Sequence, residues 1–377
     1  MLENSLPLAR IFSIQLRVHW SWLILGGLIT ASLAIGWFPT TTPGLNSYLY
    51  WISGAICALG LFVSIVIHEF AHALIGKSYD MPIEGITLFL FGGVSQLSDE
   101  PPHPKSEFQM AIAGPLASVF LAGIFYFVFI QLDAVEKPET WHRLLQAIFS
   151  YLASVNLIVA IFNMLPGFPL DGGRVLRSIL WSIKKDIVWA TKISTAIGQG
   201  FGWALVGLGF VYLLTGQPVP AIWSFLLGLL LNSLAKSSYL QLLIKQNLIG
   251  KTAKTFMDPT PVAVSPDTPV SELMNDFFKL TDQTLFPVVD ANNEFLGCVD
   301  IASVKRITES EWPSHTVREL LQECPSELQI GPDTEAEKAL SQMSSSGSRE
   351  LIVIRDHRLL GLLRQTALLR YLSLRQT

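Results

Sequence analysis

The sequence predicts a multi-span α-helical membrane domain, with about six spans and one re-entrant hairpin, followed by a soluble α/β module. Three observations carry this. Of the 377 residues, 50% are hydrophobic and only 15% are charged, too apolar a balance for a soluble chain of this length. Charge is also unevenly spread: residues 1–249 carry 25 Asp, Glu, Lys or Arg, and residues 250–377 carry 31 in about half the length. That shift, near Gly250, sets a membrane domain over 1–245 and a cytoplasmic module over 246–377. Finally, apolar runs long enough to cross ~30 Å of hydrocarbon recur over 18–38, 50–76, 108–131, 145–165, 193–215 and 219–235. The net charge of −4 comes with no basic tract, so nothing points to nucleic acid as a partner. Cys57, Cys298 and Cys324 lie far apart, which argues against a disulfide framework or a cysteine-rich metal site.

The first run has the small residues Ala31 and Ala34 that a signal-peptide cleavage site uses, but it is longer than an ordinary signal core. Trp20, Trp22 and Trp37 bracket it like an interfacial belt, so it reads as an uncleaved span.

The second run holds the most informative residues of the chain. His68-Glu69-Phe70-Ala71-His72 sits inside the apolar stretch Ile52–Ile75. Two histidines four apart project from one helix face and can share a zinc ion, and the Glu between them can take a proton from water activated there. Each ionisable side chain at mid-bilayer costs ~2.5–3.5 kcal/mol or more, so three clustered there call for a compensating role. The segment Gly85–Leu97 that follows is apolar but too short to span, and its Gly92-Gly93 pair invites a turn. It reads as a re-entrant hairpin or as an interfacial loop packed on the helices.

The fourth run ends in Asn163-Met-Leu-Pro-Gly-Phe-Pro-Leu-Asp171-Gly-Gly. Pro166, Gly167, Pro169, Gly172 and Gly173 do not suit an ordinary helix interior, so this span is expected to unwind. A catalytic zinc usually takes three protein ligands, and Asp171 on the unwound segment is the candidate for the third. The competing reading is a loop carboxylate outside the membrane, solvated or paired with Arg174. Asn163 either donates to a scissile carbonyl as charge develops there or caps the helix end. Asn156, two turns earlier, reads as a helix-to-helix hydrogen bond.

Lys and Arg set the orientation. Arg10 and Arg17 precede the first span, Lys77 and Lys105 lie between spans two and three, and Arg174, Arg177, Lys184, Lys185 and Lys192 lie between four and five. The alternate loops hold only Lys137 and Arg143. Both termini are therefore expected in the cytoplasm, with His68 roughly 12 Å from the cytoplasmic face at ~1.5 Å per residue.

The paired motifs, in this order and each in a span, resemble the site-two protease family of intramembrane zinc metalloproteases. Further matches are Arg17-Val-His-Trp-Ser-Trp, Phe91-Gly-Gly-Val94 and Ala113-Gly-Pro115. The resemblance covers about residues 10–240. It implies one Zn2+ per chain held by His68, His72 and Asp171, Glu69 as catalytic acid/base, and Asn163 as a catalytic-site contact to substrate or transition state. It also implies membrane-protein substrates with a transmembrane segment, cleaved in regulated intramembrane proteolysis, and location in a prokaryotic plasma membrane. No loop is long enough for the PDZ insert of many members, which places the chain in the PDZ-free branch. Ser118 stands where many members carry Asn, which weakens any role assigned to that position.

The soluble half repeats itself. Pro266-Asp-Thr268 recurs at Pro332-Asp-Thr334, Phe286–Asp290 is echoed by Leu351–Arg355, and Phe295-Leu-Gly297 by Leu359-Leu-Gly361. The pattern resembles a tandem pair of cystathionine-β-synthase (CBS) domains, over about 250–312 and 313–377. That resemblance implies a single α/β module, homodimerisation, and in many cases a bound adenine nucleotide. In the family a Thr, then an Asp three residues on, holds phosphate and ribose; here those positions are Asp300 and Ser303, then Arg364 and Ala367. Nucleotide binding and a purely structural or lid role both stay open. The competing functions are a CBS-regulated transporter or channel, and an inactive protease-like binding protein.

Overall fold

Residues 5–373, apart from 82, 90–91, 98–99, 136–138 and 282, are described by the computed structural model. Leu90, Phe91 and Lys137 therefore lie outside the described residues. Two compact units divide the chain, Met1–Tyr239 and Leu240–Thr377.

Among the described residues, six helical runs are long and apolar enough to cross a membrane, and each overlaps one of the expected spans. The first is α1 (Ser21–Ser32) continued through a π turn (Leu33–Trp37) into the short α2 (Phe38–Thr41). Then come α3 (Ser47–Lys77), α4 (Pro104–Asp133) and α5 (Thr140–Asn163). After the shorter α6 (Asp171–Lys184) follow α7 (Ile187–Leu214) and α8 (Pro218–Leu248). Large apolar side chains such as Leu23, Phe120, Ile158 and Leu214 stand exposed on these helices, the surface hydrocarbon covers in a bilayer.

Small residues let the helices close on one another. A Cβ on Gly54 would reach the Thr30 carbonyl oxygen at 2.7 Å, which brings α1 against α3. Leu33, Phe38, Tyr50, Cys57, Leu144, Ile148 and Leu152 make a core shared by the first span, α3 and α5. Trp37 packs edge-on against Phe38 and beside Tyr151 in that core, and Trp22 meets Phe62 at 4.3 Å between ring centroids. Of the three tryptophans expected to form an interfacial belt, only Trp20 is exposed. The asparagine expected to bridge helices does so: Asn156 Nδ2 donates to Ser64 Oγ at 3.1 Å, joining α5 to α3 one turn before His68.

A four-stranded sheet, ordered β1-β2-β3-β4, packs on α3. The sequence gives little warning of its first half, the hairpin of β1 (Ser5–Ile11) and β2 (Ile14–His19), because the turn is made by Phe12 and Ser13, both left-handed, without glycine. β2 pairs in parallel with β3 (Ile83–Phe89), which turns back into β4 (Gly92–Leu97), with Phe89 opposite Gly92. The expected hairpin is thus present, and its placement matters. Ile86 and Leu88 of β3, with Ile14 and Leu16 of β2, bury against Phe70 and Ala73 of α3, the two turns that carry the histidines.

The second unit contains two β-hairpins of like construction. β5 (Leu285–Val289) pairs with β6 (Phe295–Asp300); β8 (Glu350–Arg355) pairs with β9 (Arg358–Arg364) and, in parallel, with the short β7 (Gln329–Ile330). Both hairpins carry a register shift at the same place, Val288/Val289 and Val353/Ile354. Each also presents a glycine to the other repeat. A Cβ on Gly297 would meet the Gln322 carbonyl oxygen at 2.5 Å, and one on Gly361 would meet that of Asp258 at 2.5 Å. The neighbouring bridges Cys298–Gln322 and Leu362–Asp258 are reciprocal, so the repeats exchange backbone contacts about a pseudo-twofold. Leu285, Cys298, Cys324, Ile352, Leu359 and Leu362 fill the space between the hairpins.

Candidate metal centre

His68 and His72 lie on successive turns of α3 with both rings buried. Their orientation comes from α4. His72 Nδ1 donates to the Met110 carbonyl oxygen at 2.6 Å, and His68 Nδ1 lies 2.9 Å from Ser118 Oγ. A carbonyl can only accept, so His72 carries its proton on Nδ1 and keeps a lone pair on Nε2. Ser118 gives His68 the same opportunity. Met110, Gly114 and Ser118 are spaced four apart and share one face of α4. Between the two holding residues, Gly114 leaves space: a Cβ there would sit 2.2 Å from His72 Nε2 and 2.6 Å from His68 Nε2.

Asp171 arrives from the opposite side. α5 stops at Asn163, the chain turns through Met164–Leu170, and α6 begins at Asp171 itself. The carboxylate is therefore not on the unwound stretch, as the proline and glycine spacing predicts, but on the first residue of the helix that follows it. Prolines 166 and 169 break α5; Gly172 and Gly173 are tolerated because they enter a new helix at a point of close approach. A Cβ on Gly172 would lie 2.3 Å from the Met164 carbonyl oxygen, and one on Gly173 2.3 Å from the carbonyl carbon of Gly167. α7 supports the turn from behind, where Phe168 N donates to the Ser194 carbonyl oxygen at 3.1 Å.

Three donor atoms thus converge. Asp171 Oδ2 lies 3.2 Å from His68 Nε2 and 3.2 Å from His72 Nε2, and the two Nε2 atoms are 3.2 Å apart. A tetrahedral ion with bonds of ~2.0–2.1 Å separates its ligand atoms by ~3.3 Å. An equilateral triangle of two imidazole nitrogens and a carboxylate oxygen fits zinc, with a fourth position open, and this is the cluster of metal-ligating type among the described residues. Asp171 has its closest polar partners in these rings rather than in Arg174, the alternative the sequence leaves open.

Glu69 lies between the two histidines in sequence, is half-buried, and its side chain makes no hydrogen bond among the described residues. Asn163 is half-buried at the last residue of α5, and its side chain makes no hydrogen bond among the described residues. Ser118, which the sequence reading discounts, is one of the two groups that hold the rings. Arg177, counted there among loop charges that fix orientation, is instead buried, with Nε donating to Glu107 Oε1 at 2.5 Å.

Comparison with known proteins finds a peptidase family over the first unit and CBS domains over the second. Residues 56–206 match the model of Peptidase family M50, and residues 253–308 and 317–374 match that of the CBS domain. A Synechocystis sp. protein described as a candidate zinc metalloprotease is 31% identical over 374 residues, covering 99% of this chain and 96% of its own. The chain belongs to the site-two protease family, Peptidase family M50. A zinc metalloprotease of Methanocaldococcus jannaschii is 29% identical over 373 residues, covering 99% of this chain and 97% of its own. The solved site-two protease from M. jannaschii is 27% identical, covers 60% of this chain and 95% of its own, and aligns with a TM-score of 0.42. As a site-two protease family member with a CBS pair, this protein is a zinc metalloprotease with six candidate membrane helices, and intramembrane proteolysis is the activity of its family.

At the positions where the CBS family carries its phosphate- and ribose-holding residues, the replacements have partners within the module. At the first phosphate and ribose position, Asp300 Oδ1 is taken up by Ser303, accepting from its N at 2.8 Å and its Oγ at 2.6 Å. At the second, Arg364 Nη2 donates to Gln283 Oε1 at 3.2 Å and its Nε lies 3.7 Å from Glu350 Oε1. Phosphate placed there would meet a carboxylate in one copy and, in the other, a guanidinium whose Nη2 is bonded to Gln283 and whose Nε is buried without a hydrogen-bond partner.

Proposed function

We propose that this chain hydrolyses a peptide bond within or beside the transmembrane segment of another membrane protein, as a step in regulated intramembrane proteolysis. The observation that carries the reading is the 3.2 Å triangle of His68 Nε2, His72 Nε2 and Asp171 Oδ2 on two apolar-flanked helices. In it, His68, His72 and Asp171 hold one zinc ion. When bound, zinc held there would supply Lewis acidity toward a carbonyl oxygen and toward water.

The chain's own groups do the rest. Met110 and Ser118 keep the two rings turned so that their Nε2 lone pairs face the centre. Glu69 takes a proton from the attacking water on its carboxylate and returns it to the departing amine nitrogen. Asn163 donates from Nδ2 to the carbonyl oxygen as charge builds there. A helical substrate hides its carbonyls in its own hydrogen bonds, so its target segment unwinds before cleavage.

The excess of Lys and Arg in alternate loops supports a multi-pass protein with both termini in the cytoplasm of a prokaryotic plasma membrane. The CBS module over about 250–377 then acts on the cytoplasmic side as a structural and dimerising element. The partnered state of Asp300 and Arg364 supports that over nucleotide sensing.

Cleavage of a single-span model peptide by the purified chain in detergent tests the reading. The expected result is cleavage abolished by chelator and restored by zinc, and lost in Glu69→Gln with zinc still bound. Zinc-independent cleavage, or ion flux persisting in Glu69→Gln without any cleavage, overturns it.

A further inference from the structure

The buried charges of the first unit are not confined to the metal triangle. Arg177 is 5% exposed and Glu107 0%, a depth at which ionised groups survive only when paired. Arg177 Nε donates to Glu107 Oε1 at 2.5 Å, and Nη2 of the same guanidinium bonds both that oxygen and, at 3.1 Å, Glu100 Oε2. Nη1 reaches Thr191 Oγ1 of α7 at 3.5 Å, and the guanidinium carbon stands 5.1 Å from the centroid of the Phe168 ring. One side chain therefore touches the start of α4, α7 and the turn that delivers Asp171.

The partners' positions give this cluster its meaning. Glu107 is three residues before Met110, on the helix whose Met110–Gly114–Ser118 face holds both imidazoles. Arg177 is six residues after Asp171 on α6, the helix that presents the third ligand. The triangle is assembled from two bodies, α3 braced by α4 and α6 braced by its preceding turn. The ion pair is the charged link between the bracing helix and the carboxylate helix.

We propose that the Arg177–Glu107 pair is a positioning element that sets the register of Asp171 against His68 and His72, and so determines zinc affinity and coordination geometry. This rests on the zinc-site reading above. Arg177 does not touch the metal position; it acts through α6, and its planar fork, which a lysine lacks, is what fixes the angle between the helices.

The test uses the full chain in detergent, with zinc affinity by chelator competition, the visible spectrum of the cobalt-loaded protein, and thermal unfolding of the metal-free protein. Arg177→Lys and Glu107→Gln are expected to weaken zinc binding by about 10- to 100-fold, the effect of losing a group that orients metal ligands. They also alter the intensity of the tetrahedral cobalt bands. Because Glu107→Gln leaves the buried guanidinium only Glu100 as a charged partner, and Arg177→Lys loses the donors of the fork, either change can also destabilise the fold, so the deciding variant is the double Glu107→Leu/Arg177→Met. Its metal-free unfolding is expected to return to that of the wild type while zinc affinity and the cobalt spectrum stay impaired. A double variant that regains stability and binds zinc like the wild type overturns the proposal and assigns the pair to folding alone. A wild-type chain that binds no zinc overturns the site reading itself, and the proposal with it.

Discussion

At Gly114 a hydrogen atom stands where every other residue would place carbon between two imidazoles. Alanine is the better helix former by ~1 kcal/mol, so Gly114→Ala leaves α4 intact as a helix. Its methyl group, 2.2 Å from His72 Nε2, blocks the metal. The expected outcome is a folded chain that purifies without zinc, measured by metal analysis. Ser118→Ala removes the hydroxyl beside His68 Nδ1 and is expected to weaken zinc binding by about 10-fold or more, read by chelator competition. Glu69→Gln is expected to retain zinc and lose about 100- to 10,000-fold in cleavage rate, measured on a model peptide. At this scale the sequence was legible where chemistry repeats locally. Two histidines four apart declare a shared face, and an aspartate among prolines and glycines declares an unusual backbone. Ser118 and Arg177 were not legible, because what they touch lies 50 and 70 positions away in the chain.

The helices themselves were the easiest part to foresee, since a run of twenty apolar residues leaves few alternatives. α6 was not foreseen. Its 14 residues mix four charged side chains with apolar ones, and its charges read as those of a loop until Arg177 is seen to be paired inside. The β1–β2 hairpin escaped for a different reason: Phe12 and Ser13 turn it without the Asn or Gly that usually marks a two-residue hairpin. Packing between elements is tightest where α7 passes the Asp171 turn. A Cβ on Gly198 would lie 1.8 Å from the Phe168 carbonyl oxygen, so Gly198→Ala must push the turn and its helix away. The expected cost is about 1–3 kcal/mol of stability with a loss of bound zinc, checked by thermal unfolding in detergent and metal analysis.

For the molecule as a whole, the sequence announced two units through its charge distribution and a duplication through repeated tripeptides. It left the role of that duplication open, because the family's phosphate and ribose positions were altered but their partners unseen. With Asp300 capping its own helix and Arg364 held by Gln283 and Glu350, millimolar ATP or AMP is expected to leave the rate of peptide cleavage unchanged. A rate that responds to either nucleotide would show that these internal partners yield to a ligand.

The reciprocal backbone exchange between the repeats has a consequence for synthesis on the ribosome. Asp258, at the start of the first copy, finds its partner in Leu362, in the final strand of the second. The earlier copy therefore waits, incomplete, until almost the entire later copy has emerged, and neither half owns a finished edge. A stop codon shortly before Leu362 would deprive the first copy of its closing contact as surely as it shortens the second, so the pair is born, and fails, as one body.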